Sequence, residues 1–384
     1  MYQILHYGVD TLDIAFKGAF PDATLKELEA TANEARATNK DQPLAIGPRA
    51  VPALVTPNGM RGGFRYVFNT GPTGAIFAVK ANADLKEWNL FVSIRALRLL
   101  TLGYADTKAW LHETLADMGF IVTDVSVNRI DFAVDILAPT FKLDVENFVM
   151  PGQAKARPYW SKEQLLTDDG YQPKAVIRGR QFESVTIGSM PNRQLIVYDK
   201  RRAAIDLRQP YWFEVWGIDK DDPGARVWRV EIRAGRDALS KLMMKRSYEA
   251  VEHELRAYLI KAVTDIRYVT DKDKHSNVSR TTIHPLWEAL IASLSELPTS
   301  PEPPMPEARA LEIIRLQRGD MALKQGIGNL FNYLILIGIS PDGIIANLSH
   351  HLSETAANYM HDVSKSHILK KVHDAEARLA FLTS

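Results

Sequence analysis

The chain has 384 residues, 46% hydrophobic and 24% charged, with 47 Lys and Arg against 46 Asp and Glu for a net charge of +1. That length holds two or three domains with sizeable cores, and so even a balance excludes a globally basic nucleic-acid binder. The absence of cysteine excludes disulfides, zinc–thiolate sites, iron–sulfur ligation and thiol nucleophiles. No stretch reaches the roughly 20 apolar residues that span a bilayer, so no membrane contact is expected and the reading is of a cytoplasmic protein.

In chain order, Val9–Phe16 reads as a strand, and Leu25, Leu28, Ala32 and Ala35 set a helical period between Thr24 and Thr38. A Pro- and Gly-punctuated loop runs to Gly63. Phe64–Asn69 and Ala75–Lys80 flank a Thr-Gly-Pro-Thr-Gly turn as a hairpin, and Trp88–Arg95 reads as a third strand. A helix is expected over Asp106–Met118, with Gly119 as its stop signal. Ile121–Ile136 then alternates, with Ile130, Phe132, Val134 and Ile136 on one face and Arg129, Asp131, Ala133 and Asp135 on the other. Period 2 predicts a strand. Its charged face reads either as the solvated side of an edge strand or as a buried site whose carboxylates need partners.

A loop-like stretch from Pro139 to Tyr171 precedes two short strands within Val185–Arg202, VTIGSMPNRQLIVYDKRR, separated by a Gly/Ser/Pro/Asn turn. The second strand carries Tyr198 into Lys200, Arg201 and Arg202. Tyr211–Trp216 and the alternating strand Val227–Ala234 follow, the latter with Arg229, Glu231 and Arg233 on one face. A long helix is expected over Ala238–Ile266, a charged loop over Asp271–Asn277 and a short helix over Pro285–Leu297. Thr299–Pro306, TSPEPPMP, reads as a linker. Helices are expected beyond it over Glu307–Ala322, Leu330–Ile337, Gly343–Leu352 and Thr355–Leu382. The expected organisation is therefore a strand-rich domain over 1–297, a linker over 298–306 and a helical domain over 307–384.

Three polar strand faces, those of Arg129, Asp131 and Asp135, of Tyr198 and Lys200, and of Arg229, Glu231 and Arg233, bring carboxylates, a tyrosine and cations together if they share one sheet. Carboxylates in that setting suit a hard cation such as Mg²⁺ or Mn²⁺. Cations beside a phenol favour its attack on a phosphodiester. Asp131 and Asp135 stand four residues apart, about 13 Å on a straight strand, so both cannot bind one ion directly without a bulge.

RIDFAVDI, then TIGS followed by IVYDK, then WRVEIR, in that order, resemble the replication initiation factor family of rolling-circle initiators, which spans plasmid Rep proteins, filamentous-phage replication proteins and some conjugative relaxases. SNVSRTTIHPLWEAL is similar to the family's later signature, an Asn/Arg pair ahead of a Trp-containing helix. The resemblance covers roughly Val9–Leu297. It implies an α+β fold with an antiparallel-sheet core like that of the HUH nucleases, lacking the His-hydrophobic-His motif; the C-terminal helical domain is expected from the residues beyond the linker and lies outside the resemblance. It further implies Tyr198 as nucleophile, forming a 5′-phosphotyrosine and freeing a 3′-OH primer. Asp131, Asp135 and Glu231 become the implied ligands of Mg²⁺ or Mn²⁺. Lys200 and Arg193 contact the scissile phosphate on this reading, and Arg129, Arg201, Arg202, Arg229 and Arg233 position DNA or pair carboxylates. The family often carries a glutamate shortly after YDK, where this chain has Arg201-Arg202-Ala203-Ala204.

The expected partner is origin DNA, as duplex or hairpin and as single strand. A second copy and a host helicase are the partners open to the C-terminal helices. Three other readings stand beside rolling-circle initiation: a conjugative relaxase with the same chemistry, a non-enzymatic origin-binding protein, and a nuclease that activates water with Asp131 and Glu231. Tyr171 and Tyr211 are alternative nucleophiles, and Trp160 and Trp212 are candidates for stacking on bases.

Overall fold

Two 17-residue strands, β1 (Gln3–Ala19) and β7 (Ile121–Leu137), pair antiparallel along their length and form the spine of the structure. The computed structural model describes residues 2–150, 156–157, 177–178, 181–270 and 281–383. The expected family signature residues at 276–280 lie outside these, as do Trp160 and Tyr171.

After β1 come α1 (Asp22–Thr38), β2 (Gln42–Ile46), β3 (Val51–Val55), β4 (Phe64–Asn69), β5 (Ala75–Lys80), β6 (Trp88–Ile94) and α2 (Ala96–Asp117). β7 is followed by a 3₁₀ turn at Val145–Asn147, then β8 (Phe148–Val149), β9 (Ala156–Arg157), β10 (Ile177–Arg178), β11 (Gln181–Phe182), β12 (Ser184–Gly188), β13 (Arg193–Asp199), α3 (Lys200–Asp206), α4 (Tyr211–Trp216) and β14 (Val227–Gly235). The remainder is α5 (Arg236–Leu242), α6 (Tyr248–Asp265), β15 (Arg267–Tyr268), α7 (Pro285–Glu296), α8 (Glu307–Leu336), α9 (Pro341–Ala346), α10 (Leu348–Asp362) and α11 (Lys365–Thr383). The class is α+β. One antiparallel sheet of 11 strands runs β2-β3-β4-β5-β6-β1-β7-β14-β13-β12-β9, and the C-terminal region is helical.

Several elements differ from expectation for identifiable reasons. The stretch read as loop before Gly63 contains β2 and β3, too short and too Pro-broken to show a period. The helix expected from Asp106 begins at Ala96; Gly103, at φ +75°, breaks it into two pieces. The long helix expected after β14 is α5 and α6, separated at Met243–Ser247, where Ser247 caps the amide of Ala250. The second Tyr198 strand stops at Asp199, whose carboxylate caps the amide of Arg202, so the basic run that follows is helix α3. Tyr211–Trp216 is helical. Beyond the prolines, α8 is one 30-residue helix rather than two.

The chain divides into two compact units, Met1–Glu307 and Ala308–Ser384. In the first, α6 and α7 cover the apolar face of β7, where Phe132 and Val134 meet Leu259 and Leu294 around a small cavity. Trp228, Val230 and Ile232 of β14 extend that core. The proline-rich segment belongs to this unit and packs on it, with Met305 buried and Pro301 against Gly8 and Gly103. In the second unit, buried apolar side chains are few and large exposed ones many.

Candidate active site

β7, β14 and β13 are hydrogen-bonded neighbours in that order, and the register sets Asp135 opposite Arg229, Arg229 opposite Tyr198, and Arg233 opposite Asp131. The strand bearing Asp131 and Asp135 is thus central, not an edge, and both aspartates are fully buried. The three polar faces form one surface beneath α3 and α4.

β1 contributes to it through a bulge. Its register against β7 slips between Val9 and Thr11, so that His6 faces Asp135 whereas Leu12 faces Ile130. An extra residue at this point reverses which face each side chain takes. Asp10 is that residue, and its carboxylate accepts from Arg229 Nη1 at 2.7 Å. Sequence reasoning missed Asp10 and His6, although the successive polar residues Asp10 and Thr11 break the alternation of Val9–Phe16 at the point where the register slips.

Two connected arrays of ions result. In one, Arg229 donates to both oxygens of Asp135, at 2.6 and 2.8 Å, while Trp216 Nε1 donates to Asp135 Oδ2 at 2.9 Å. The Trp212 ring lies beside Arg229 at 4.4 Å and beside the Lys200 ammonium at 4.5 Å, with the edge of His6 at 5.4 Å. In the other, the Tyr198 hydroxyl donates to Glu231 Oε2 at 3.4 Å, and Glu231 Oε1 accepts from Arg233 Nε at 2.7 Å. Arg233 continues to Asp131 at 3.4 Å and to Gln194 at 3.3 Å, and Arg129 closes the chain by a bidentate contact with Asp131. Four cations and four carboxylates balance. Balance is what burial demands, since an unpaired charge in a low-dielectric interior costs several kcal/mol.

The titration behaviour follows from the same contacts. Burial disfavours the charged forms of Asp135 and Asp10, but the Arg229 guanidinium, helped by Lys200 and His6, more than offsets it and both lie below the usual carboxylate range. Asp131 goes the other way, raised to about 7, because burial and the neighbouring Glu231 outweigh Arg129 and Arg233. Burial lowers His6 to about 4 despite Asp135. Burial and then Arg229 lower Lys200 to about 8. The Tyr198 phenol lies well above its ordinary value, burial being the main cause. Of the four cations, Lys200 alone has no hydrogen bond from its ammonium to any described residue.

Arg193 pairs with Asp265 at 2.8 Å at the far end of β13 from Tyr198. Arg201 donates to the Lys220 carbonyl and Arg202 to Asp206, both toward the surface. These three do not join the buried arrays. Tyr211 is buried in α4 beside Trp212, and Trp287 is core, donating to the Val263 carbonyl. A small cavity lined by His6, Gly8, Asp10 and Trp212 reaches the Asp10 end of the network, and Pro301–Pro304 line its other wall.

Asp131, Asp135 and Glu231, the ligands implied for Mg²⁺ or Mn²⁺, do not fit that ion as placed. Asp135 and Asp131 lie in different arrays, and guanidinium, indole or phenol donors occupy the oxygens. Among the described residues no group of three His, Cys, Asp or Glu side chains is positioned to hold a metal.

Fold and site together define an antiparallel α+β protein with a tyrosine–carboxylate pair inside a charge-balanced ionic lattice. No protein-family model matches the chain, and no curated protein matches it. Among solved structures it is similar to a rolling circle replication initiator protein from Geobacillus stearothermophilus, with a TM-score of 0.41 and 14% identity, over 78% of this chain and 98% of that one. The likeness is distant, and the chemistry below is drawn from this chain's own residues.

Proposed function

We propose that the chain is a rolling-circle replication initiator that nicks one DNA strand at an origin through Tyr198. One observation carries the reading: a tyrosine hydroxyl within hydrogen-bond reach of a carboxylate that is itself held by an arginine, Tyr198–Glu231–Arg233. A nucleophile, its base and the group that orients the base are the parts that covalent phosphoryl transfer requires. The ordered motifs around Asp131, Tyr198 and Glu231 support it further.

In the step, the Tyr198 oxygen forms a bond to phosphorus, the bond to the departing 3′ oxygen breaks, and Glu231 takes the phenolic proton. Lys200, 5.9 Å from the Tyr198 ring, and Arg229, opposite Tyr198 in the strand pair, oppose the charge that gathers on the phosphoryl oxygens. The departing oxygen takes a proton from solvent, leaving a free 3′-OH. No step is routed through a metal ion.

The test is incubation with supercoiled plasmid bearing the candidate origin, in Mn²⁺, Mg²⁺ or EDTA, followed by denaturing electrophoresis. A covalent 5′ adduct is expected, absent in Tyr198→Phe. Loss of nicking in EDTA would show a metal requirement that Asp131, Asp135 and Glu231, as placed, do not meet. Nicking that survives Tyr198→Phe refutes the tyrosine mechanism in favour of activated water. The burial of Tyr198, 4% exposed, favours a second reading, a non-enzymatic origin-binding protein; binding without any nicking establishes that one. Transfer of a nicked strand between cells identifies a relaxase with the same chemistry.

A further inference from the structure

The proline-rich segment at the end of the first unit follows a path that the sheet leaves open. β6 pairs with β1 only from Leu12 to Lys17, so β1 has a free edge before Leu12. Pro298 and Thr299 lie on the apolar side of that edge, beside Tyr7 and Val134. Pro301 lies on the other side, its Cγ 3.5 Å from the point that a Cβ on Gly8 would occupy. Tyr7 and Gly8 face opposite sides of the sheet, so the segment crosses the edge between them. Prolines suit the crossing, since they cover an edge without a free N–H that would extend the sheet.

Beyond Gly8 the segment passes Gly103, where α2 is broken, and Pro301–Pro304 wall the cavity that His6, Asp10 and Trp212 line from the other side. Those three residues are the rim of the first ionic array. Asp10 accepts from Arg229, and the Trp212 ring lies 4.5 Å from the Lys200 ammonium. The cover is lightly held. Pro301, Pro303 and Pro304 have no N–H to donate, and among the described residues no hydrogen bond ties the backbone of Pro301–Met305 to the body. Glu302, Pro303 and Pro304 are exposed. Its anchors are the buried Met305 and a fork in which Arg98 donates to both oxygens of Glu307, at 2.7 and 3.2 Å. Arg98 is itself held against the Trp110 ring, 4.4 Å from its guanidinium.

We propose that Pro301–Met305 is a gate, shut over the Asp10–Trp212 rim in the resting chain and latched by Arg98 and Glu307. The latch is partly in water: the Glu307 side chain is 37% exposed and that of Arg98 10%. Its carboxylate can therefore exchange the guanidinium for solvent at small cost, while Arg98 keeps its place on Trp110. Glu307 is also the first residue of α8, so a pull on that helix acts on the latch before it reaches the body. The gate gives the burial of the array a use. Lys200 and Arg229 stay shielded from solvent and stray anions until the segment lifts, and the rim it covers is where a cavity already borders them.

Opening is read without DNA, by hydroxyl-radical footprinting of the full chain at Trp212, 3% exposed, with the core residue Trp287 as reference. Glu307→Gln is expected to raise Trp212 oxidation severalfold and leave Trp287 unchanged. Replacing Pro301, Pro303 and Pro304 together with glycine loosens the cover with the latch intact and is expected to do the same. If Glu307→Gln unfolds, seen as oxidation of Trp287, the glycine variant decides. Unchanged Trp212 oxidation overturns the gate and leaves the segment a fixed cover for the β1 edge. The consequence for DNA rests on the nicking reading, and the plasmid assay separates the two. Both variants are expected to form the 5′ adduct severalfold faster than the native chain. Raised Trp212 oxidation with no adduct from any of the three proteins refutes nicking and keeps the gate. Raised oxidation with equal adduct rates overturns the gate's control of access.

Discussion

At the scale of single residues, the buried ions have unequal roles. Arg229, fully buried, serves Asp135 and Asp10 at once. Truncating one partner of a buried pair leaves the other uncompensated, a loss of about 3–5 kcal/mol. Asp135→Ala is therefore expected to lower unfolding stability by that amount in chemical denaturation. Asp131→Asn should cost less than Asp135→Asn at neutral pH, since an amide imitates the protonated carboxyl that burial favours at Asp131. The linkage signs agree. Asp135 and Asp10 are depressed, so their stabilisation is present above the unfolded carboxylate value and lost as pH falls through their folded ones. Asp131 is raised, so its contribution is present at low pH and lost as pH rises through about 7. Lys200, depressed to about 8, discharges as pH climbs past that value, and DNA affinity is expected to fall there. Lys200→Arg should remove that decline, because a guanidinium stays charged; an unchanged pH profile in that variant would separate Lys200 from DNA binding.

At the scale of elements, Tyr198 is positioned by the β12–β13 turn. Gly188 adopts φ +87°, and a Cβ there would lie 2.3 Å from the Arg193 carbonyl oxygen. Both the conformation and the contact exclude a side chain, so Gly188→Ala is expected to destabilise the chain by about 1–3 kcal/mol. It should also slow any adduct formation, because β13 carries Tyr198 into register with Arg229. A fully stable Gly188→Ala protein with altered Tyr198 reactivity would separate the two effects. The β1 bulge acts similarly at the other side of the site. It turns His6 and Asp10 toward Arg229 while returning Leu12, Ile14 and Phe16 to the core.

At the scale of the whole molecule, a net charge of +1 provides no general attraction to DNA. Affinity must come from local cations, and a phosphate-dominated interface weakens linearly in log–log terms as salt rises, with a slope of about −0.7 to −0.9 per phosphate contacted. Arg201 and Arg202 of α3 are tied to a carbonyl and a carboxylate at the surface rather than to the buried lattice. Replacing both with glutamine should reduce the salt slope while leaving stability nearly unchanged. Filter binding across a salt series checks this, and an unaltered slope would place the DNA path elsewhere.

Much of this was legible in the chain itself. Period-2 alternation in RIDFAVDI and WRVEIR sorts each residue to a face, because side chains of a strand point alternately to its two sides wherever it lies. That local rule was enough to mark Asp131, Asp135, Glu231 and Tyr198 as members of polar faces, and to separate a strand-rich region from a helical one. It could not show which charge meets which. Asp135 and Arg229 are 94 residues apart, and Asp10 and Arg229 219 apart. Their contact depends on strand order and on register, neither of which leaves a local period, and on one bulge, which the sequence marks only by the successive polar residues Asp10 and Thr11. The same carboxylates that read as metal ligands along the chain are, once the sheet is assembled, the counter-ions of three arginines. Spacing is a property of one strand; neutralisation is a property of neighbours, and only the assembled sheet decides who the neighbours are.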